Sequence, residues 1–155
     1  MRFMKIIDTY SYLIEISQLL KQGKEVSIPV AGNSMSPFLQ DKRDWVLLEK
    51  PGIKNIKPGN IVLYQRLSGQ FVLHRIQKIK KDSFYAVGDA QNEIEGPILF
   101  TRIRGVVQAV YRKGRWHSCH SIGDWLFQSA WRKLLPIRNR IFRLFRIYWR
   151  WKVKK

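Results

Sequence analysis

Short runs of β-forming residues, each closed by a turn, fill the middle of this chain and leave it few folds to choose from. Val26 to Val30, Asp44-Trp45-Val46-Leu47-Leu48-Glu49, Ile61-Val62-Leu63-Tyr64-Gln65-Arg66, Phe71-Val72-Leu73-His74-Arg75-Ile76, Ser83 to Val87 and Ile98 to Tyr111 are rich in branched and aromatic side chains, which suit a pleated, half-buried surface. Pro51-Gly52, Lys57-Pro58-Gly59-Asn60 and Arg112-Lys113-Gly114-Arg115 separate them with turn chemistry. Ser68-Gly69 closes a hairpin between residues 61–66 and 71–76. Many short strands at this spacing predict a mainly β domain with a small barrel-like or coiled sheet.

Helical patterns flank that domain. Phe3, Ile6, Ile7, Tyr10, Leu13, Ile14 and Leu20 fall on one stripe, and Gly23 stands where a helix over about 3–21 stops. At the other end, Ser121-Ile122-Gly123-Asp124 has the spacing of a helix start, and Pro136 breaks the region and opens a second helix. Ile137, Ile141, Leu144, Phe145 and Tyr148 share one face of it, with Arg140, Arg143, Arg146 and Arg150 on another. The expected division is an N-terminal amphipathic helix over 1–24, a β-rich domain over 25–117 and a basic helical tail over 118–155.

Where the charge sits says more than its total. Of a net +18, residues 132–155 supply ten positive charges and no negative one, leaving 19 basic against 11 acidic groups elsewhere. The tail, with Trp149 and Trp151 beside its arginines, has the make-up of a helix lying in the plane of an anionic membrane. A helix docked on the body with a solvated arginine face is the competing reading. No recognised nucleic-acid module accompanies the charge, so no specific nucleic acid is expected. One cysteine, Cys119, excludes an internal disulfide, and its spacing from His117 and His120 matches no usual zinc site, so no metal or cofactor is expected. Uncharged apolar runs fall short of the roughly 18 residues that span a bilayer. Asp8 and Glu15 interrupt the N-terminal apolar residues as no export signal would allow. Those features predict a cytoplasmic chain, peripheral on the inner face of the membrane.

Chemistry concentrates in Val30-Ala31-Gly32-Asn33-Ser34-Met35-Ser36-Pro37-Phe38-Leu39. Gly32 and Pro37 shape a tight loop, Met35, Phe38 and Leu39 can anchor it, and Ser34 is left outward as a candidate nucleophile. Backbone amides of such a loop can converge on an oxyanion. His74 is the best-placed base among three histidines, set inside an apolar strand. Asp89, after Gly88 at a strand end, is the first candidate to orient it, and Glu95 is the competing one.

Taken in order, Gly32-Asn33-Ser34-Met35-Ser36-Pro37, Gly59-Asn60-Ile61-Val62, His74-Arg75-Ile76 and Gly88-Asp89 resemble the successive boxes of the signal peptidase I and LexA-type serine peptidases. The likeness covers roughly residues 26–112. It is nearest to the branch typified by archaeal and endoplasmic-reticulum signal peptidases, in which histidine replaces the lysine base. The resemblance implies a coiled β-sheet fold, Ser34 as nucleophile, His74 as general base and an acid from the Gly88-Asp89 region, with Glu95 near the place of the reticulum-type acid. Gly32 stands where many bacterial members carry a serine that donates to the oxyanion, so the donors expected here are backbone amides or Asn33. A serine endopeptidase acting on an extended peptide is the leading expectation. A catalytically idle peptide- or membrane-binding adaptor on the same fold is the other.

Overall fold

Alternation along Ile61-Val62-Leu63-Tyr64 explains the centre of the molecule, because both faces of this strand are covered. Ile61 and Leu63 join one apolar cluster with Ile28, Val46 and Leu48, whereas Val62 and Tyr64 join another with Ile76, Phe84 and Ile98. A strand buried on both sides reads as a continuous apolar run rather than an alternating one.

The computed structural model describes residues 9–120 and 122–153. A helix, α1 (Thr9–Lys21), leads into strands β1 (Val26–Pro29), β2 (Trp45–Glu49), β3 (Ile61–Gln65), β4 (Phe71–Ile79), β5 (Ser83–Val87), β6 (Glu95–Leu99), β7 (Ile103–Arg112) and β8 (Arg115–Ser118). Helices α2 (Ile122–Lys133) and α3 (Arg138–Val153) follow, joined by a 3-10 turn over Leu135–Ile137. The eight strands form one sheet in the order β1-β2-β7-β3-β4-β5-β6, with β8 added to β7. All the pairings are antiparallel. The protein is thus mainly β, with one helix before the sheet and two after it. Register slips in the β2–β7, β3–β7, β4–β5 and β5–β6 pairings are the bulges by which a long sheet bends.

Expected and observed elements agree closely from Val26 to Val87, but the expected run from Ile98 to Tyr111 is broken by a 3-10 turn over Phe100–Arg102 into β6, at the end of the sheet, and β7, between β2 and β3. The hairpin at Ser68-Gly69 forms with Ile61 opposite Arg75 and Val62 opposite His74. Phe3, Ile6 and Ile7 of the expected N-terminal stripe, and the side chains of Phe145, Tyr148, Trp149 and Trp151 of the expected tail face, lie outside the described residues. Within them, Ile16 and Leu20 of α1 sink into the first cluster. The tail is docked over its first half: Phe127 of α2 stacks on Phe38 at 5.4 Å between ring centroids, and Trp131 is buried. No described helix is long and apolar enough to cross a membrane.

Two buried carboxylates hold the layers together. Asp44 accepts from Arg43 and from Arg112, whose guanidinium also donates to the Phe38 carbonyl. Burial opposes the charge on Asp44, but these bonds and the Gln40 amide hold its pKa at about 2. Asp89 pairs with Arg75 through two parallel bonds, Nε to Oδ1 at 2.8 Å and Nη2 to Oδ2 at 2.6 Å, and neither side chain is exposed. A third bond runs from Arg75 Nη1 to the Gly59 carbonyl at 2.9 Å.

Removing one partner of such a pair strands the other charge in a dry interior. Arg75→Ala or Asp89→Ala should therefore each lower unfolding free energy by about 3–5 kcal/mol, whereas an apolar double replacement, Arg75→Met with Asp89→Leu, should recover most of it. Urea titrations of the four proteins measure this. A double variant as unstable as the two single losses added together would show that the pair is not the linked unit described.

Candidate active site

Ser34 sits on the loop between β1 and β2, and the loop is anchored as its sequence suggests. Met35 and Leu39 are buried in the first apolar cluster, with Phe38 packed against it. Gly32 takes φ +81°, a conformation that favours glycine, and its amide donates to Asp41 Oδ1 at 3.2 Å. Because that amide and the Ser36 amide are already engaged, the oxyanion donors left in the expected set are other backbone amides of the loop, that of Ser34 among them, and the exposed Asn33 carboxamide.

The far side of the loop is held by the turn that follows β5. Ala90 donates its amide to the Ser34 carbonyl at 2.8 Å. Gly88 makes that approach possible, since a Cβ there would lie 2.5 Å from the Ser34 oxygen. The glycine of the Gly88-Asp89 pair is therefore a packing requirement of the serine loop.

His74 lies on β4 opposite Val62, and only 3% of its surface is exposed. Antiparallel pairing puts Tyr64, two residues along β3, diagonally across from it on the same face. Tyr64 Oη is 3.3 Å from His74 Nδ1 and donates its own proton to Glu95 Oε2 at 2.8 Å. The phenol oxygen is left to accept, so this network assigns the hydrogen to Nδ1 and the lone pair to Nε2. Glu95 is clamped in turn by Arg66, Nε to Oε1 at 2.8 Å and Nη2 to Oε2 at 2.6 Å. Those hydrogen bonds pull the Glu95 pKa down, and burial followed by the bond to Glu95 pushes that of Tyr64 up.

Ser34 and His74 line one cavity of about 240 Å³, together with Gly32, Phe71, Leu73 and Gln91. A larger cleft of about 700 Å³ opens on the other side of His74, bordered by Arg66, Gln91, Glu95 and Asn139. Of the two candidate acids, Asp89 is the one that does not meet the histidine. Its carboxylate is committed to Arg75, which projects from β4 on the face opposite His74. Strand alternation accounts for this: an acid bonded to residue 75 on one face of the sheet acts on residue 74, on the other face, only through its charge. Glu95 is on the His74 side, one phenol away.

Sequence reasoning passed over Tyr64 and Arg66. Their signal was available in the hairpin, because closing it at Ser68-Gly69 fixes Val62 against His74 and so brings Tyr64 alongside.

Burial, only partly offset by the Glu95 charge, pushes the His74 pKa down to about 4. An unfolded chain takes up this proton near the ordinary histidine value of about 6.5, so between those limits the unfolded state binds more protons and stability falls as pH falls. The slope should reach up to about 1.4 kcal/mol per pH unit. It should be largest between pH 6.5 and 4.5, before carboxylates titrate, and His74→Gln should flatten it. Urea midpoints measured across that interval check both expectations.

Compared with protein-family models, with curated proteins and with solved structures, the chain matches none.

Proposed function

We propose that this protein is a serine endopeptidase of the signal peptidase I and LexA type, of the branch with a histidine base, cleaving a peptide bound in extended form. The observation that carries this reading is a shared cavity: Ser34 and His74, brought from different elements, border it together, and the imidazole is fixed through Tyr64 with its lone pair on Nε2. The bulged antiparallel sheet is compatible with the coiled β-domain of that family.

In this mechanism Nε2 removes the Ser34 Oγ proton as Oγ attacks the scissile carbonyl. The imidazolium that forms is stabilised by the Tyr64 dipole and the Glu95 charge, and it returns the proton to the leaving amine. Water then hydrolyses the acyl-enzyme with the same base. The Ser34 amide and Asn33 are the candidate donors to the oxyanion. A place for the peptide is open, because β5 pairs with β4 only from Arg75 to Ile79 and leaves Phe71–His74 with no strand partner on that side among the described residues. An extended substrate can add there as a strand beside the Ser34 loop.

An anionic membrane surface is the partner this reading adds. Its support is the exposure of Leu144 (67%) and Ile147 (49%) on α3 beside the exposed Arg140 and Arg143. On the sheet, Trp45, Tyr111 and Trp116 occupy one cross-strand row, all exposed, next to Lys113 and Arg115.

Ser34→Ala and His74→Ala should each abolish cleavage of a fluorogenic peptide library and labelling by a fluorophosphonate, with the double variant no worse than either single one. Tyr64→Phe should lower kcat about 10–100-fold, the usual range for disturbing a group that orients a base. Above the pH at which His74 loses its proton, kcat/KM should be flat. Wild-type protein that is fully folded yet unlabelled and inactive on every peptide would leave the idle adaptor as the reading.

For the membrane partner, Leu144→Glu combined with Ile147→Glu should weaken cosedimentation with vesicles of anionic lipid at least about tenfold, given roughly 1.5–3 kcal/mol for each apolar side chain buried. Added salt should weaken the wild type too. Unchanged binding by the double variant would remove α3 from the membrane contact.

A further inference from the structure

Ten of the positive charges lie in the C-terminal segment, and one of them behaves unlike an ordinary tail arginine. Arg138, the first residue of α3, has no exposed surface. Its guanidinium meets no carboxylate among the described residues and is satisfied by main-chain carbonyls. Nε and Nη2 donate to the Trp131 carbonyl at 3.2 and 2.8 Å, and Nη1 reaches the Gly88 carbonyl at 3.3 Å and that of Gln91 at 3.4 Å. It also stacks over the Trp131 ring, 5.0 Å from its centroid. Trp131 in turn donates its indole N–H to the Asp89 carbonyl at 3.1 Å.

Three carbonyl contacts of the helices therefore fall on one short turn, at Gly88, Asp89 and Gln91. Ala90, in the middle of that turn, is the residue whose amide binds the Ser34 carbonyl. Burying a guanidinium against neutral carbonyls is unfavourable unless its donors are satisfied and its place is well defined. A solvated tail has no use for such an arrangement, whereas a turn that must be held against a loop at one fixed distance has.

We infer that Arg138 and Trp131 are positioning residues for Ser34: the C-terminal helices clamp the Gly88–Gln91 turn, and the turn holds the serine loop in register with His74. The inference rests on the peptidase reading for its consequence in catalysis, but the mechanical link stands on the hydrogen bonds alone. On this view α2 and the first turn of α3 complete the site, and Asn139, the residue after Arg138, borders the cleft beside His74. A displaced loop leaves Oγ and Nε2 out of line, and misplacements of about 1 Å in such pairs commonly slow chemistry about 100-fold.

The test uses the full chain and two readouts. Hydrogen exchange of the Ala90 amide reports the bond to Ser34, and the rate of fluorophosphonate labelling reports the serine. Arg138→Met should speed Ala90 exchange about tenfold or more while core amides such as that of Val107 keep their protection. Labelling should slow by about tenfold or more. Trp131→Phe removes the indole donor while keeping an aromatic ring beneath Arg138, and should act in the same direction more weakly, which keeps the test decisive if Arg138→Met does not fold. Lys133→Met, an equal loss of charge on exposed α2 surface, should change neither readout. Unchanged Ala90 exchange in both variants overturns the inference, and so does faster exchange with unaltered labelling. Wild-type Ser34 that is never labelled would defeat the peptidase reading instead, and Ala90 exchange would still decide whether the helices hold the loop.

Discussion

The Arg75–Asp89 pair is the constraint on which the rest of the site depends. A wholly buried ion pair gains little net stability, since the cost of desolvating two charges consumes most of their attraction. Its value here is geometric. A bidentate fork fixes both distance and angle, so Asp89 is pinned over the middle of β4, and the Gly88–Gln91 turn is pinned with it. Phe38 of the serine loop packs under the same guanidinium, 4.9 Å from ring centroid to Cζ. One strand thus carries adjacent residues with divided roles: His74 faces the cavity, and Arg75 on the reverse face fastens the turn and the loop that bring Ser34 to it.

Keeping the acid one phenol away from the imidazole has a chemical consequence. A carboxylate bonded directly to Nδ1 would favour the protonated ring and raise its pKa. With Tyr64 between them, Glu95 offsets the desolvation of His74 only partly, so the ring stays neutral and able to accept a proton at pH 7. The Arg66 clamp serves the same balance, its positive charge countering that of Glu95 at the ring while it keeps Glu95 ionised as the acceptor of the Tyr64 hydrogen bond. Burial makes the base neutral; the relay supports it only when it becomes charged.

Most of the fold was legible because strand and turn signals are local. Runs such as Ile61 to Gln65 and the turn at Ser68-Gly69 state their own structure, and the strands up to Val87 begin and end within a few residues of the expected ones, whereas the break between β6 and β7 inside Ile98 to Tyr111 was not read. The serine loop was legible for the same reason, its apolar anchors lying within five residues of Ser34. What could not be read were choices made across the sheet. Asp89 lies just beyond β5 and Glu95 opens β6, and nothing near either one tells which face it will reach. That is decided by the register of β5 on β4 and by which partner, Arg75 or the Tyr64–Arg66 pair, lies on that face. Tyr64 shows the intermediate case, since a register fixed by the short turn over Leu67, Ser68 and Gly69 carries the information without displaying it.

Charge in the C-terminal segment shows the same limit from the other direction. By composition Arg138 is one of a series of arginines spaced along a helix, and such a series reads as a solvated or lipid-facing surface. Burial separates it from the rest. Pro136 fixes where α3 begins, and its first turn must cross the Gly88–Gln91 turn, so the arginine at that position finds carbonyls in place of water. Further along the helix Ile141 and Phe142 are still half-buried, Phe142 packing edge-on against Trp131, while Arg140 and Arg143 are exposed as the pattern suggests. On the two proposals the segment has a root, Trp131 and Arg138, that holds the turn against the serine loop, and a limb whose exposed residues meet a surface. Force applied to the limb reaches the Gly88–Gln91 turn by two routes, through the Arg138 guanidinium and through Phe142, which packs edge-on against Trp131, so both proposed positioning residues lie between α3 and the serine loop.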